Sequence, residues 1–169
     1  QGDVMLTGNA MLDATNSVTV SNGTGTFDGW HDLVVYLGGD GSISFGGDIG
    51  SVLPLNNVEI ESSGTVAIGG NIAAIEDINI KASGTSYSGS DVIGVGFQAG
   101  KSITSQTGGI TIFGQGVNSG TGVDMSNVEL DAASITIDGT SDGDGVFFDS
   151  NAKLIATDGI VVNGTSTHS

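Results

Sequence analysis

Two segments of this chain match position for position when one is slid along onto the other: Gly41-Ser42-Ile43-Ser44-Phe45-Gly46-Gly47-Asp48-Ile49 and Gly64-Thr65-Val66-Ala67-Ile68-Gly69-Gly70-Asn71-Ile72. The stretch from Asn57 to Gly64 returns in the same way as Asp77 to Gly84. Further on, Ile110-Thr111-Ile112 with Gly114 becomes Ile135-Thr136-Ile137 with Gly139, then Ile160-Val161-Val162 with Gly164, in two equal steps. Val95 with Phe97 becomes Val123 with Met125 and then Val146 with Phe148, in unequal steps. Apolar positions keep their place while the spacers between them change length. Self-similarity at this period is the signature of a repeat architecture, because one unit cannot bury its apolar face until neighbouring units stack on it.

Within each unit the apolar and polar residues alternate, as in Val58-Glu59-Ile60, Ile78-Asn79-Ile80 and Ile135-Thr136-Ile137. A period of two in runs rich in β-branched residues predicts short strands. No segment carries the apolar period of a helix. Stacked parallel strands lie about 4.8 Å apart, so Ile110, Ile135 and Ile160 are expected to form an internal aliphatic ladder with Thr and Asp facing water. The predicted fold is all-β, a right-handed parallel β-helix (β-solenoid) of about seven coils. A β-sandwich would need tight antiparallel hairpins and gives no reason for a ladder to recur at a regular step.

Composition removes several other classes. The 169 residues include 30 Gly but one Pro and no Cys. Collagen therefore fails, as do a disulfide framework and a thiolate metal site. The basic residues are Lys81, Lys101 and Lys153, against 19 acids, for a net charge of −16. Such a chain repels a phosphate backbone, which argues against nucleic acid as a partner. No apolar run approaches the roughly 18 residues of a membrane span, so no membrane insertion is expected. The glycines, often paired with Gly, Asn or Asp, are expected to supply the positive φ that coil corners require.

Residues 1–37 fit the repeat less well and are expected to be an atypical terminal coil or cap on the regular repeats of 38–166. All belong to a single β-helical domain, 1–169. The start at Gln1 suggests a mature product or a segment of a larger protein.

The repeat carried by Gly41 to Ile49 and Gly64 to Ile72, with the Ile-Thr-Ile units, resembles the repeat regions of bacterial surface exoproteins. The similarity is to filamentous-haemagglutinin-like adhesins of the two-partner-secretion type and to β-strand-repeat surface proteins, over roughly residues 38–166. The resemblance implies an extracellular or cell-surface location and a shaft that displays, or itself forms, an adhesive surface. Its partners would be a host or neighbouring-cell surface, protein or glycan, and further coils of its own polypeptide.

Candidate sites are sparse. Asp142-Gly143-Asp144-Gly145 with Asp149 nearby offers oxygen ligands suited to calcium, although Asp-Gly is equally good turn chemistry on an acidic surface. Asp28, His31 and Asp32 beside Trp30 place an imidazole between carboxylates, as a general base would require, or form a loop whose Trp covers the end of the core. Exposed aromatics suited to binding are Phe27, Trp30 and Tyr36, and Tyr87 in the irregular stretch from Ser83 to Asp91. His168 lies at the extreme terminus. Asn22 and Asn163 each begin an Asn-Gly-Thr glycosylation pattern, which also suits a turn. These features favour a non-enzymatic structural or adhesive segment. The rival is a carbohydrate-binding or carbohydrate-cleaving β-helix acting through surface carboxylates, and it is opposed by the absence of arginine to stabilise an anion.

Overall fold

The computed structural model describes residues 3–20, 25–84, 91–149 and 151–167. The chain enters with β1 (Val4–Met5), β2 (Ala10–Ala14) and β3 (Val18–Val20). The second coil is β4 (Phe27–Asp28), β5 (Leu33–Leu37) and β6 (Ser42–Phe45). In the third, Ile49 makes a single bridge on each side before β7 (Val58–Ser62) and β8 (Thr65–Ile68). The fourth is β9 (Ile72–Ala74), β10 (Ile78–Ala82) and β11 (Val95–Phe97). The fifth is β12 (Lys101–Ser105), β13 (Gly109–Gln115) and β14 (Thr121–Met125). The sixth runs two faces together in the long β15 (Val128–Ser141) before β16 (Asp144–Phe148), and β17 (Lys153–Ser166) lies over β15.

Every pairing between these strands is parallel, and there is no helix among the described residues. The strands stack into three faces. The first carries β1, β4, Ile49, β9, β12 and the leading halves of β15 and β17. The second carries β2, β5, β7, β10, β13 and the trailing halves of β15 and β17. The third carries β3, β6, β8, β11, β14 and β16. The result is the parallel β-solenoid expected from the repeats, with about six turns where the repeat length implies about seven. The difference arises in the coil that carries Ile78 to its partner Ile110, the longest step on the second face.

Registers follow the repeats residue by residue. Val58 pairs with Ile78, Ile43 with Val66, Val95 with Val123, and Ile110 with Ile135 and then Ile160. Alternate residues therefore point inward, and the core is a set of ladders. One runs Val35, Ile60, Ile80, Ile112 and Ile137, all buried. Ile160 keeps its place in its column but is 45 % exposed, since among the described residues β17 is paired on one edge, by β15.

The glycines contradict part of the expectation. Positive φ occurs at Gly29, Gly50, Gly84, Gly100 and Gly159 among the described residues. Many of the others answer a different need, which is close approach of backbones. Gly114, Gly139 and Gly164 form one inward column where the second face converges on the third. A Cβ on Gly139 would sit 2.6 Å from the carbonyl carbon of Gly145, and one on Gly114 would sit 2.7 Å from that of Gly122. At Gly114 and Gly139 a side chain has nowhere to go, whereas in the earlier coils the same column holds Leu37, Ser62 and Ala82.

Candidate binding surface

Polar side chains at the corners join one coil to the next. Between the first and second faces, Asn9, Asp32, Asn57, Asp77 and Gly109 occupy successive rungs. The amides of Asp32, Asp77 and Gly109 donate to the side-chain oxygens of Asn9 (3.1 Å), Asn57 (3.1 Å) and Asp77 (2.8 Å). The Nδ2 groups of Asn9, Asn56 and Asn57 donate to the Asp32 carboxylate at 2.8–3.1 Å. Amide and carboxylate alternate, so neighbouring carboxylates in this column stand two rungs apart, roughly 9.6 Å from the strand spacing. That is close to a Debye length in physiological salt, which is how a chain of charge −16 stacks its acids.

A second corner column behaves alike. The Asn71 amide donates to Asp48 at 2.8 Å and the Ser102 amide to Asn71 at 3.0 Å. Where the chain turns from the third face to the first, Gly100 and Asn127 take φ of 78° and 53°, the left-handed region in which Gly and Asn are best tolerated.

These bonds reassign the Asp28, His31, Asp32 cluster. Asp32 is held by asparagines, and Asp28 is buried, accepting from the amides of Val52 (2.9 Å) and Leu53 (3.1 Å) and from the Thr26 hydroxyl. The His31 carbonyl accepts the Asn56 amide at 2.9 Å. The two carboxylates fasten the bend at residues 51–53 and the corner ladder.

Hydrogen bonds from Asn57 and Asn56, followed by that from Asn9, hold the Asp32 carboxyl below the usual carboxylate value of 3.8 despite opposition from burial. The amides of Asn151 and Asn127 do the same for Asp149. Both groups favour the ionised form when folded. Their stabilisation is present in full above the unfolded value near 3.8 and is lost as pH falls through the lower folded values. The thermal midpoint is therefore expected to fall on acidification below about pH 4, with a shallower slope in Asp32→Asn. An identical slope in that variant would remove Asp32 as a contributor.

The acids proposed for calcium are not brought together. Asp144 opens β16 and Asp149 follows its last residue, five positions along an extended strand and so on the order of 16 Å away. Asp142 accepts the Thr167 hydroxyl at 2.7 Å, and Asp149 accepts the amides of Asn127 (2.8 Å) and Asn151 (3.0 Å). No group of three or more His, Cys, Asp or Glu among the described residues is arranged to hold a metal ion. Millimolar calcium is expected to move the melting midpoint no further than sodium chloride of equal ionic strength. A calcium-specific rise would restore the site.

The aromatics divide. Phe27 turns into the core and packs edge-on against Phe45, with ring centroids 6.2 Å apart and planes at 81°, so it leaves the expected exposed set. Pairing of β4 with Ile49, itself buried, is what turns it inward. Trp30 is 67 % exposed at the corner after β4, and Tyr36 is 39 % exposed on the second face. Tyr87 and His168 lie outside the described residues, as does Asn22.

On the second face, registers align Tyr36, Glu61, Lys81 and Phe113 in one outward column. Lys81 Nζ lies 2.8 Å from Glu61 Oε1, and this bond holds the ammonium above its usual range. Beside the column, Glu59, Asn79 and Thr111 help line a groove of about 180 Å³. Two aromatics flanking an ion pair in one outward column offer apolar rings and polar groups together. Phe113 was the member that sequence reasoning missed, although its place after Ile110-Thr111-Ile112 was a readable signal of outward orientation. A larger depression of about 430 Å³ lies on the third face, where Ser44, Ala67 and Gly96 succeed one another in an outward column beside Ile93 and Gln98.

No protein-family model, curated protein or solved structure matches this chain.

Proposed function

We propose that the chain is a non-enzymatic structural and adhesive segment of a secreted or cell-surface bacterial exoprotein. The observation that carries this reading is the way the coil uses its polar residues. Asp28, Asp32, Asp48, Asp77 and Asp149 accept hydrogen bonds that fasten each coil to its neighbour. The solenoid they hold presents sheet faces to solvent, and the second bears the Tyr36 to Phe113 column. That column is the contact surface in this reading, and a protein or a glycan is its partner. Stacking of sugar or side-chain groups on the rings supplies affinity, with Glu61 and Lys81 giving polar selectivity.

The test has two arms. Labelling intact source cells with an antibody to this segment is expected to give the same signal as labelling permeabilised cells; signal only after permeabilisation overturns the location. Binding of the purified chain to arrays of glycans and surface proteins is expected to fall at least tenfold in Tyr36→Ala/Phe113→Ala. Retained binding in that variant overturns the assignment of the face.

A further inference from the structure

We infer that the column from Tyr36 to Phe113 receives an extended polypeptide segment that carries two arginines four residues apart. The inference rests on the reading of this face as the contact surface and names the chemistry of what it contacts.

Acids on this face are left unused by the fold. At the corners, Asp28, Asp32, Asp48, Asp77 and Asp149 all accept hydrogen bonds. Asp13, Glu59 and Asp138, at outward positions of the second face, make no hydrogen bond or ion pair among the described residues. Glu61 binds Lys81, the one cation in the two outward columns, so Asp13, Glu59 and Asp138 leave those columns with an excess of negative charge.

The registers set these carboxylates beside the rings. Asp13, Tyr36, Glu61, Lys81, Phe113 and Asp138 occupy successive rungs of one column. Tyr36 therefore stands between Asp13 and Glu61, and Phe113 has Asp138 beside it, each about 4.8 Å along the rod. A Cβ on Gly38 would sit 3.3 Å from Tyr36 Cε1, so the ring lies over Gly38, where the absent side chain gives it room. A ring with a carboxylate one rung away attracts a cation through both groups. Guanidinium suits the pair best, because it is planar, stacks on rings and binds carboxylates through a fork of donors. An acidic glycan would be repelled here, and a neutral one would leave the carboxylates without partners.

Spacing selects a polypeptide. Tyr36 and Phe113 are three rungs apart, about 14.4 Å at the strand spacing. An extended chain advances about 3.3–3.4 Å per residue with alternate side chains on one side, so residues four apart lie about 13.5 Å from each other on the same side. Laid along the rod, such a segment sets one arginine on Tyr36 and the other on Phe113. Its middle residue falls over Glu61 and Lys81, beside the groove of about 180 Å³. That volume is below the roughly 300–1,000 Å³ of small-molecule sites and suits a single side chain.

Fluorescence polarisation with the purified chain tests this. The probe is a labelled threonine-rich peptide with two arginines four positions apart, compared at low ionic strength with one in which both are glutamine and one with the arginines three positions apart. Side chains three apart leave an extended chain on opposite sides. The first peptide is expected to bind at least fivefold more tightly than either of the others and to weaken as salt is added. Its affinity is expected to fall about three- to tenfold in Asp13→Asn/Asp138→Asn and about tenfold in Tyr36→Ala/Phe113→Ala, with circular dichroism melts confirming the fold of both variants. Equal binding of the two arginine spacings overturns the proposal. So does binding that survives in Tyr36→Ala/Phe113→Ala, which would be attraction to net charge alone. The array experiment reports on the face separately: if array binding falls in that variant while the arginine peptide does not bind the wild-type chain, the contact surface stands and the arginine-bearing partner is overturned.

Discussion

Gly139→Ala is expected to destabilise the protein by about 3 kcal/mol, lowering the thermal midpoint by roughly 6–12 °C. The added methyl has no flexible neighbour to displace. It meets the backbone of Gly145, whose carbonyl carbon would lie 2.6 Å from it. Relief requires the second and third faces to separate at that corner, and the same column holds Gly114 and Gly164 in the neighbouring rungs. Two alanine controls separate crowding from backbone conformation. Gly8 has no atom within 4 Å of a built Cβ and no positive φ, so Gly8→Ala is expected to cost less than about 0.5 kcal/mol. Gly100 is equally open but has φ of 78°, and alanine there is expected to cost about 1 kcal/mol through left-handed strain alone. Calorimetry of the three variants checks the ranking. A Gly139→Ala midpoint indistinguishable from wild type would contradict the steric account.

Asp28→Ala is the second large effect, also about 3 kcal/mol. The carboxylate is buried and receives two backbone amides and a hydroxyl. Alanine leaves the amides of exposed Val52 and half-buried Leu53 without their acceptor and empties a buried polar site, and a donor stripped of its partner is costly in proportion to its burial. Asp28→Asn keeps an oxygen for both amides and is expected to lose about 1 kcal/mol. Hydrogen exchange at Val52 and Leu53 distinguishes this from a diffuse loss of packing. Those two amides are expected to lose protection first in Asp28→Ala, with the ladder at Ile80 and Ile112 unaffected. Uniform loss of protection would place the role of Asp28 elsewhere.

Asp28 acts on residues a full coil away in sequence and Gly139 on residues across a corner six positions on, and neither contact follows from strand alternation, which marks how far the chain could be read in advance. Strand alternation is a local property, so the inward faces of Val58-Glu59-Ile60 and Ile135-Thr136-Ile137 were legible. Registers were legible where a coil repeats without insertion, as from Ile110 to Ile135 to Ile160. They were not legible from Val66 to Val95 or from Ile78 to Ile110, where the coils lengthen and the repeat has no matching partner. The candidate site was less legible than the fold. Phe27 shares a polar neighbourhood with Trp30 in sequence, but a single bridge to Ile49 turns it into the core. Asp142, Asp144 and Asp149 are near in sequence, yet an extended strand holds the last two apart.

The amino-acid sequence alone determined that this protein is a stack of short parallel strands with aliphatic ladders inside, because side-chain alternation and repeat displacement are written along the chain. Tertiary structure decided what its polar and glycine residues are for. Neighbours along the rod are a full coil apart in the chain and the coils differ in length, so coil lengths set which asparagine meets which aspartate. The narrowness of one corner, absent from any local pattern, makes Gly114 and Gly139 spacers for converging backbones rather than turn residues.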